Sequence, residues 1–237
     1  MNLLLKAKRV KEVTRQQILD YPLPNWNDSY TVVPNQLIID TCLEALYKEG
    51  LRVKDEFYKQ SVGNKFVGGF IMDGYGGYNL EFAWKNSYDK TMSVGIGLGS
   101  QVFLCSNNCI SAEHILRKVH RGEADKIVVI FIQESVKQLA ETYDKMVTQF
   151  DAWKSNEISK RLYAETAGRL YLEDKIVSPR QLSIIRDEME QESFHYGVEN
   201  TVYNLYQACT HALKSEPAIS FIQTHAKLHQ FFTNNFN

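Results

Sequence analysis

The chain is short of several residues and patterns, and each shortage removes a class of explanation. Cysteine occurs four times in 237 residues, at Cys42, Cys105, Cys109 and Cys209, with no repeated spacing. So sparse a set builds no disulfide framework and fits a reduced, cytoplasmic setting. Long apolar runs are missing as well. The opening MNLLLKAKRVKEV has a run of three leucines before charge begins, too short for the apolar region of a signal peptide. No window reaches the roughly 20 apolar residues that span a bilayer, so no membrane partner is expected. There is no charge excess either: 27 Lys and Arg stand against 28 Asp and Glu, a formal net charge of -1. No global field draws the chain onto a polyanion, and any anion site must be a local cluster. Phosphate-loop, HExxH and dinucleotide-binding patterns do not occur, nor do internal repeats, and no cofactor is expected.

What is present is an ordinary soluble composition, 44% apolar with 12% aromatic residues, enough for a substantial core. The first twenty residues are locally basic, with Lys6, Lys8, Arg9, Lys11 and Arg15 against Glu12 and Asp20. They read as a basic lead-in arm. Pro22 and Pro24 then hold their neighbours extended. VPNQLIIDTCLEALYKEG reads as a helix, with Pro34 in its first turn and Gly50 as its stop. From there the period changes. LRVKDEFYKQ, KFVGGFIMDG, YNLEFAWKNS and TMSVGIGLGSQVFLC are short, alternating, and separated by turn residues. They predict an antiparallel meander of about four strands. Gly95, Gly97 and Gly99 share one face of the last of these, so something must pack close to the backbone there. Beyond residue 122 the helical period returns. A long helix is expected, with a stripe of Ile127, Ile130, Phe131, Leu139, Tyr143, Met146, Phe150 and Trp153. Further helices follow, one of them capped by Ser178 with Pro179 first and Gln181 closing a capping box. The fold class is therefore α+β: an antiparallel meander flanked by helices, then a long helix and a helical C-terminal half. Residues 1–121 and 122–237 are expected to pack as one unit.

The segment LCSNNCISAEHILRKVHRG, 104–122, concentrates the chemistry. Cys105, Cys109, His114 and His120 are possible metal ligands. However, four residues separate the two pairs, where a zinc finger needs about a dozen, so no metal is assigned. Cys109 with His114 or His120 lacks the glycine constellation of an oxyanion hole, and no catalytic residue is assigned. Asp187, Glu188 and Glu192 read as a solvated face. Glu81 and Asp89 are the one acidic pair worth testing for a metal-dependent nuclease. HILRKVHRG is read as helical, which puts His114, Arg117, Lys118 and Arg121 on one face, a credible phosphate contact with His120 beside it. CSNN is read as a turn closing the last strand, with Cys105, Asn107 and Asn108 structural.

Three motifs and one closing helix add a resemblance. Asn86-Ser87-Tyr88-Asp89-Lys90-Thr91, then Cys105-Ser106-Asn107-Asn108, then His120-Arg121-Gly122, and finally NLYQACTHAL at 204–213, follow one another in order. This resembles a family of phage- and plasmid-encoded proteins of unknown function, marked by NSHDGS, CTNG and HTG, over about Val33 to Leu213. Tyr88 stands where that family has His, and Lys90 and Asn108 where it has Gly. The resemblance implies a mobile-element origin, a bacterial host cytoplasm, and a role in replication, recombination or host takeover. By analogy of architecture, the chain is similar to phage single-strand annealing proteins, which bind single-stranded DNA in a positive groove and assemble into rings. The expectation is a non-enzymatic, single-strand-binding protein that forms homo-oligomers. Arg117, Lys118, Arg121 and His120 contact phosphates, and Lys85, Tyr88 and Lys90 lie at a hairpin tip as charges and a stacking ring. Two alternatives stand beside it. One is a protein–protein module that inhibits a host factor through Tyr196, Tyr203, Tyr206, Phe221, Phe231 and Phe232. The other is the nuclease.

Overall fold

A computed structural model describes residues 10–25, 29–62, 64–102, 108–193, 199–217 and 220–236. The sheet among them has six strands: β1 (Val10–Glu12), β2 (Val53–Ser61), β3 (Lys65–Met72), β4 (Tyr78–Ser87), β5 (Val94–Val102) and β6 (Asn108–Lys118). Their spatial order is their order in the chain, and every pairing is antiparallel. The four expected strands are β2 to β5. Two more frame them, and β6 overturns the helical reading of HILRKVHRG.

The reason lies in β5. Its residues from Val94 to Ser100 are all buried, so backbone groups on both of its edges need protein partners. β6 supplies those on the outer edge, setting Lys118 opposite Val94, Arg117 opposite Gly95 and Leu116 opposite Ile96. A helix there would have orphaned a buried ladder.

Seven α-helices accompany the sheet among the described residues: α1 (Arg15–Leu19), α2 (Asn35–Lys48), α3 (Ala124–Lys154), α4 (Lys160–Leu172), α5 (Pro179–Glu190), α6 (Val202–Ala212) and α7 (Phe221–Phe236). α3 is the long helix, 31 residues, and α5 begins with the Ser178–Gln181 capping box and Pro179. The buried stripe of α3 runs Val128, Ile132, Val136, Leu139, Tyr143, Met146, Phe150 and Trp153, while Ile127 and Ile130 face outward. KIVVIFI is apolar all round and cannot phase itself. The stripe further along the helix decides which of its residues turn inward.

β4 is buried at every position, because both sheet faces are covered there. On one face Phe66, Phe70, Phe82, Trp84, Ile96 and Leu98 join Ile38, Val128, Leu139 and Tyr206 in a single hydrophobic cluster. That cluster runs through sheet and helices alike, so residues before and after 121 share one core. On the other face, Phe221, Ile222 and Ala226 of α7 pack on Val67, Ala83 and Ile110. This contact explains the glycine row. A methyl group at Gly97 would stand 2.8 Å from Ile110 Cγ2 and 2.9 Å from Ile222 Cγ2, and one at Gly95 would strike the Lys85 side chain. The aromatic residues offered as a partner surface are core instead: Tyr203, Tyr206, Phe221, Phe231 and Phe232 are all buried. Tyr196 lies outside the described residues.

Candidate nucleic-acid interface

An antiparallel meander gathers at each end of the sheet the starts of alternate strands and the ends of the others. At one end meet the close of β2, β4 and β6 and the start of β3 and β5. The register there runs Lys59, Val67, Lys85, Gly95, Arg117, one residue per strand. Paired residues share a face and strands lie about 4.8 Å apart, so Lys59, Lys85 and Arg117 repeat at roughly 10 Å. Just beyond this row come Lys65, Lys90, Lys118 and Arg121. The acids at this end are partly engaged: Asp89 pairs with Lys65 at 3.3 Å, Glu12 sits opposite Lys59 in the β1–β2 register, and of Glu123 and Asp125 at the start of α3, Glu123 pairs with Lys126 at 2.6 Å. The other end of the sheet carries Asp55, Asp73 and Glu81, with Lys54 bonded to Asp73 at 3.0 Å. A near-neutral chain thus separates its charge along the strands.

The candidates named from the sequence divide sharply. Arg117 is exposed and its Nε donates to Ser93 Oγ at 3.3 Å. Lys118, half-buried, points to the opposite face, because successive strand residues alternate. Arg121 is exposed in the turn after β6. Its neighbours clasp Thr31: the Thr31 N–H donates to the His120 carbonyl at 3.0 Å and its hydroxyl to the Gly122 carbonyl at 2.6 Å. Lys90 is exposed, has φ +65°, and holds its ammonium 4.9 Å from the centre of the Tyr30 ring. These four cations carry no ion pair among the described residues.

Three candidates are interior. Lys85 is 2% exposed, and its Nζ donates to Gln223 Oε1 of α7. Burial, with Arg117 nearby, pushes its pKa down to about 8. Tyr88 is buried against Phe66 and Tyr21, and its hydroxyl accepts the Asn35 N–H at 2.7 Å, so it is no exposed stacking ring. His120 is buried and stacked on Tyr30 with ring centres 4.9 Å apart. Its Nδ1 lies 3.1 Å from the Thr31 carbonyl, which can only accept, so Nδ1 carries the hydrogen. Burial lowers its pKa, and the ring stays neutral and offers no charge to a phosphate.

The remaining assignments are settled by position. Asn108 opens β6 opposite Gln101 instead of closing a turn, and Cys105 and Asn107 lie outside the described residues. Glu81 and Asp89 do not converge: β4 runs extended from Glu81 to Ser87, roughly 20 Å, and Asp89 lies in the bend beyond its end. Among the described residues no three His, Cys, Asp or Glu side chains form a group able to hold a metal ion. In the basic N-terminal stretch, Arg15 is committed to Glu56, its Nε donating to both carboxylate oxygens at 3.0 and 3.1 Å. Lys6, Lys8 and Arg9 lie outside the described residues.

Sequence reasoning missed Lys59, Lys65 and Tyr30. Register alone brings the two lysines to this end. Tyr30 sits in an unremarkable NDSYTVV, and nothing local marks it as a ring in contact with a histidine and a lysine. No helix among the described residues is long and apolar enough to cross a membrane. No family model matches the chain, and neither a curated protein nor a solved structure matches it.

Proposed function

We propose that the protein binds single-stranded nucleic acid without catalysing a reaction, at the basic end of its sheet, and serves replication, recombination or host takeover of a mobile element. One observation supports this above the rest: Lys90, Arg117, Lys118 and Arg121 gather at one end of the sheet with no ion pair among the described residues. α2 and α3 both begin at this end, α2 held to β4 through Asn86 Nδ2, which donates to the Val33 carbonyl and Asn35 Oδ1, each at 2.8 Å. The positive ends of two helix dipoles therefore add to the same potential. Phosphates bound here replace water and counterions around cations that are already held apart, and Lys90, Arg117 and Arg121 are exposed, so little desolvation opposes binding at those three.

The test is the salt dependence of binding to a single-stranded 20-mer, followed by fluorescence anisotropy. Four phosphate contacts give a slope of log K against log salt of about -2.8, taking roughly 0.7 per contact on a single strand. Arg117→Ala with Arg121→Ala should reduce it to about -1.4. Absence of binding at low salt, or an unchanged slope in the double variant, would overturn the proposal.

A further inference from the structure

The Tyr30 ring has two neighbours of unequal mobility. His120, itself buried, stacks on it, with ring centres 4.9 Å apart and planes 24° from parallel. The ammonium tip of exposed Lys90 also lies over the ring, 4.9 Å from its centre. The ring is fixed from the side as well, since its hydroxyl donates to the Ser87 carbonyl at 3.2 Å. Tyr30 is thus a flat ring on a rigid base, pinned at its edge and capped by one flexible side chain. With these contacts in place Tyr30 is 5% exposed. Lys90 holds that cap from a left-handed backbone, φ +65°, which disfavours any residue with a Cβ. Thr31, next to Tyr30 in the chain, bonds to His120 and Gly122 on either side of exposed Arg121 and so holds that stretch of backbone close by.

From this arrangement we infer that Tyr30 is a stacking platform for an unpaired nucleobase, and that Lys90 is its displaceable cap. The inference rests on the reading of this end of the sheet as a single-strand site, and adds the bases to the phosphates as contacts. A base entering over Tyr30 moves the Lys90 ammonium from the ring face to the flanking phosphate. One cation–π contact is exchanged for an ion pair and a stacked ring. Arg121 takes the phosphate on the other side. Every base has a flat π face, so the platform is tolerant of sequence. His120 stays neutral and beneath, stiffening the ring without contacting the ligand.

The experiment compares the oligonucleotide dT20 with a chain of twenty abasic deoxyribose phosphates of equal charge. The wild-type protein should bind dT20 at least about 5-fold more tightly, since a stacked base contributes roughly that much or more. Tyr30→Leu should abolish the preference and leave abasic binding unchanged. Tyr30→Phe, which keeps the ring, should retain it within about twofold. Lys90→Ala should weaken abasic binding and keep or raise the preference. Photo-cross-linking of a 5-bromodeoxyuridine 20-mer to the wild-type protein, mapped by mass spectrometry, should label Tyr30 and needs no variant to fold. Equal binding of the two probes, a preference lost in Lys90→Ala or Tyr30→Phe, or a cross-link on another ring overturns the platform while leaving the phosphate reading intact. If neither probe binds, both fall.

Discussion

Acidification should expose one buried group above the others. His229 lies in α7 among the rings of Phe150, Trp153 and Tyr206, with its Nδ1 3.2 Å from the Tyr206 hydroxyl. Burial lowers its pKa from the ordinary 6.5 to about 4. The sign follows from which state takes up the proton first. As pH falls below 6.5 the unfolded chain protonates this histidine and the folded one does not, so stability is lost, and the loss continues until the folded form also protonates near 4. The full gap of about 2.5 pH units, at roughly 1.4 kcal/mol each, amounts to about 3.5 kcal/mol. Between pH 7 and pH 5 about 2 kcal/mol of it is already spent. His120 and His211 are lowered as well and add to the slope, so the difference between two proteins isolates the residue. His229→Gln keeps a hydrogen-bonding group for Tyr206 and removes the titration. Urea unfolding followed by tryptophan fluorescence at pH 7 and pH 5 should show the wild type losing about 2 kcal/mol more than the variant. Equal losses in both proteins would refute the reasoning.

Other expectations concern packing and caps, and urea titration at pH 7 checks each. Gly97→Ala drives a methyl group to within 2.8–2.9 Å of Ile110 and Ile222, and should destabilise by about 1–3 kcal/mol as α7 is pushed from the sheet. Gly168→Ala is the contrast: the new Cβ meets nothing within 4 Å inside α4, and the change should stabilise by about 0.5–1 kcal/mol. Ser178→Ala removes the hydroxyl that accepts the Gln181 N–H at 3.3 Å and should cost about 1 kcal/mol through loss of the α5 cap.

Much of this architecture was legible before any coordinates, wherever a local pattern was strong enough to stand alone. The four central strands, the 31-residue α3 and the capped start of α5 all follow from periodicity and capping chemistry, which act over one or two turns or one hairpin. The glycine row of β5 announced a close approach, and α7 provides it through Ile222. The failures share one cause. HILRKVHRG carries apolar and basic residues at spacings compatible with either a helix face or a strand edge, and the choice was made by the unpaired edge of buried β5, a partner ending several residues upstream. In the same way, the phase of the apolar start of α3 was set by residues further along the helix.

The candidate interface repeats the lesson at the level of single side chains. Hydrophobic periodicity determined that this chain is α+β, and composition that its net charge is close to zero and any grip on an anion must come from a local cluster. Which cations are available was a tertiary matter. Lys85, Lys90 and Tyr88 lie within six residues of one another, yet Lys85 is covered by α7, Tyr88 is clamped by the start of α2, and Lys90 alone reaches solvent. Lys59 and Tyr30, with no local mark of function, arrive beside them through strand register and through the bonds of Thr31 to the turn after β6. Burial and proximity are set by contacts among residues distant along the chain, and those contacts exist only once the meander has closed and α7 has docked on it.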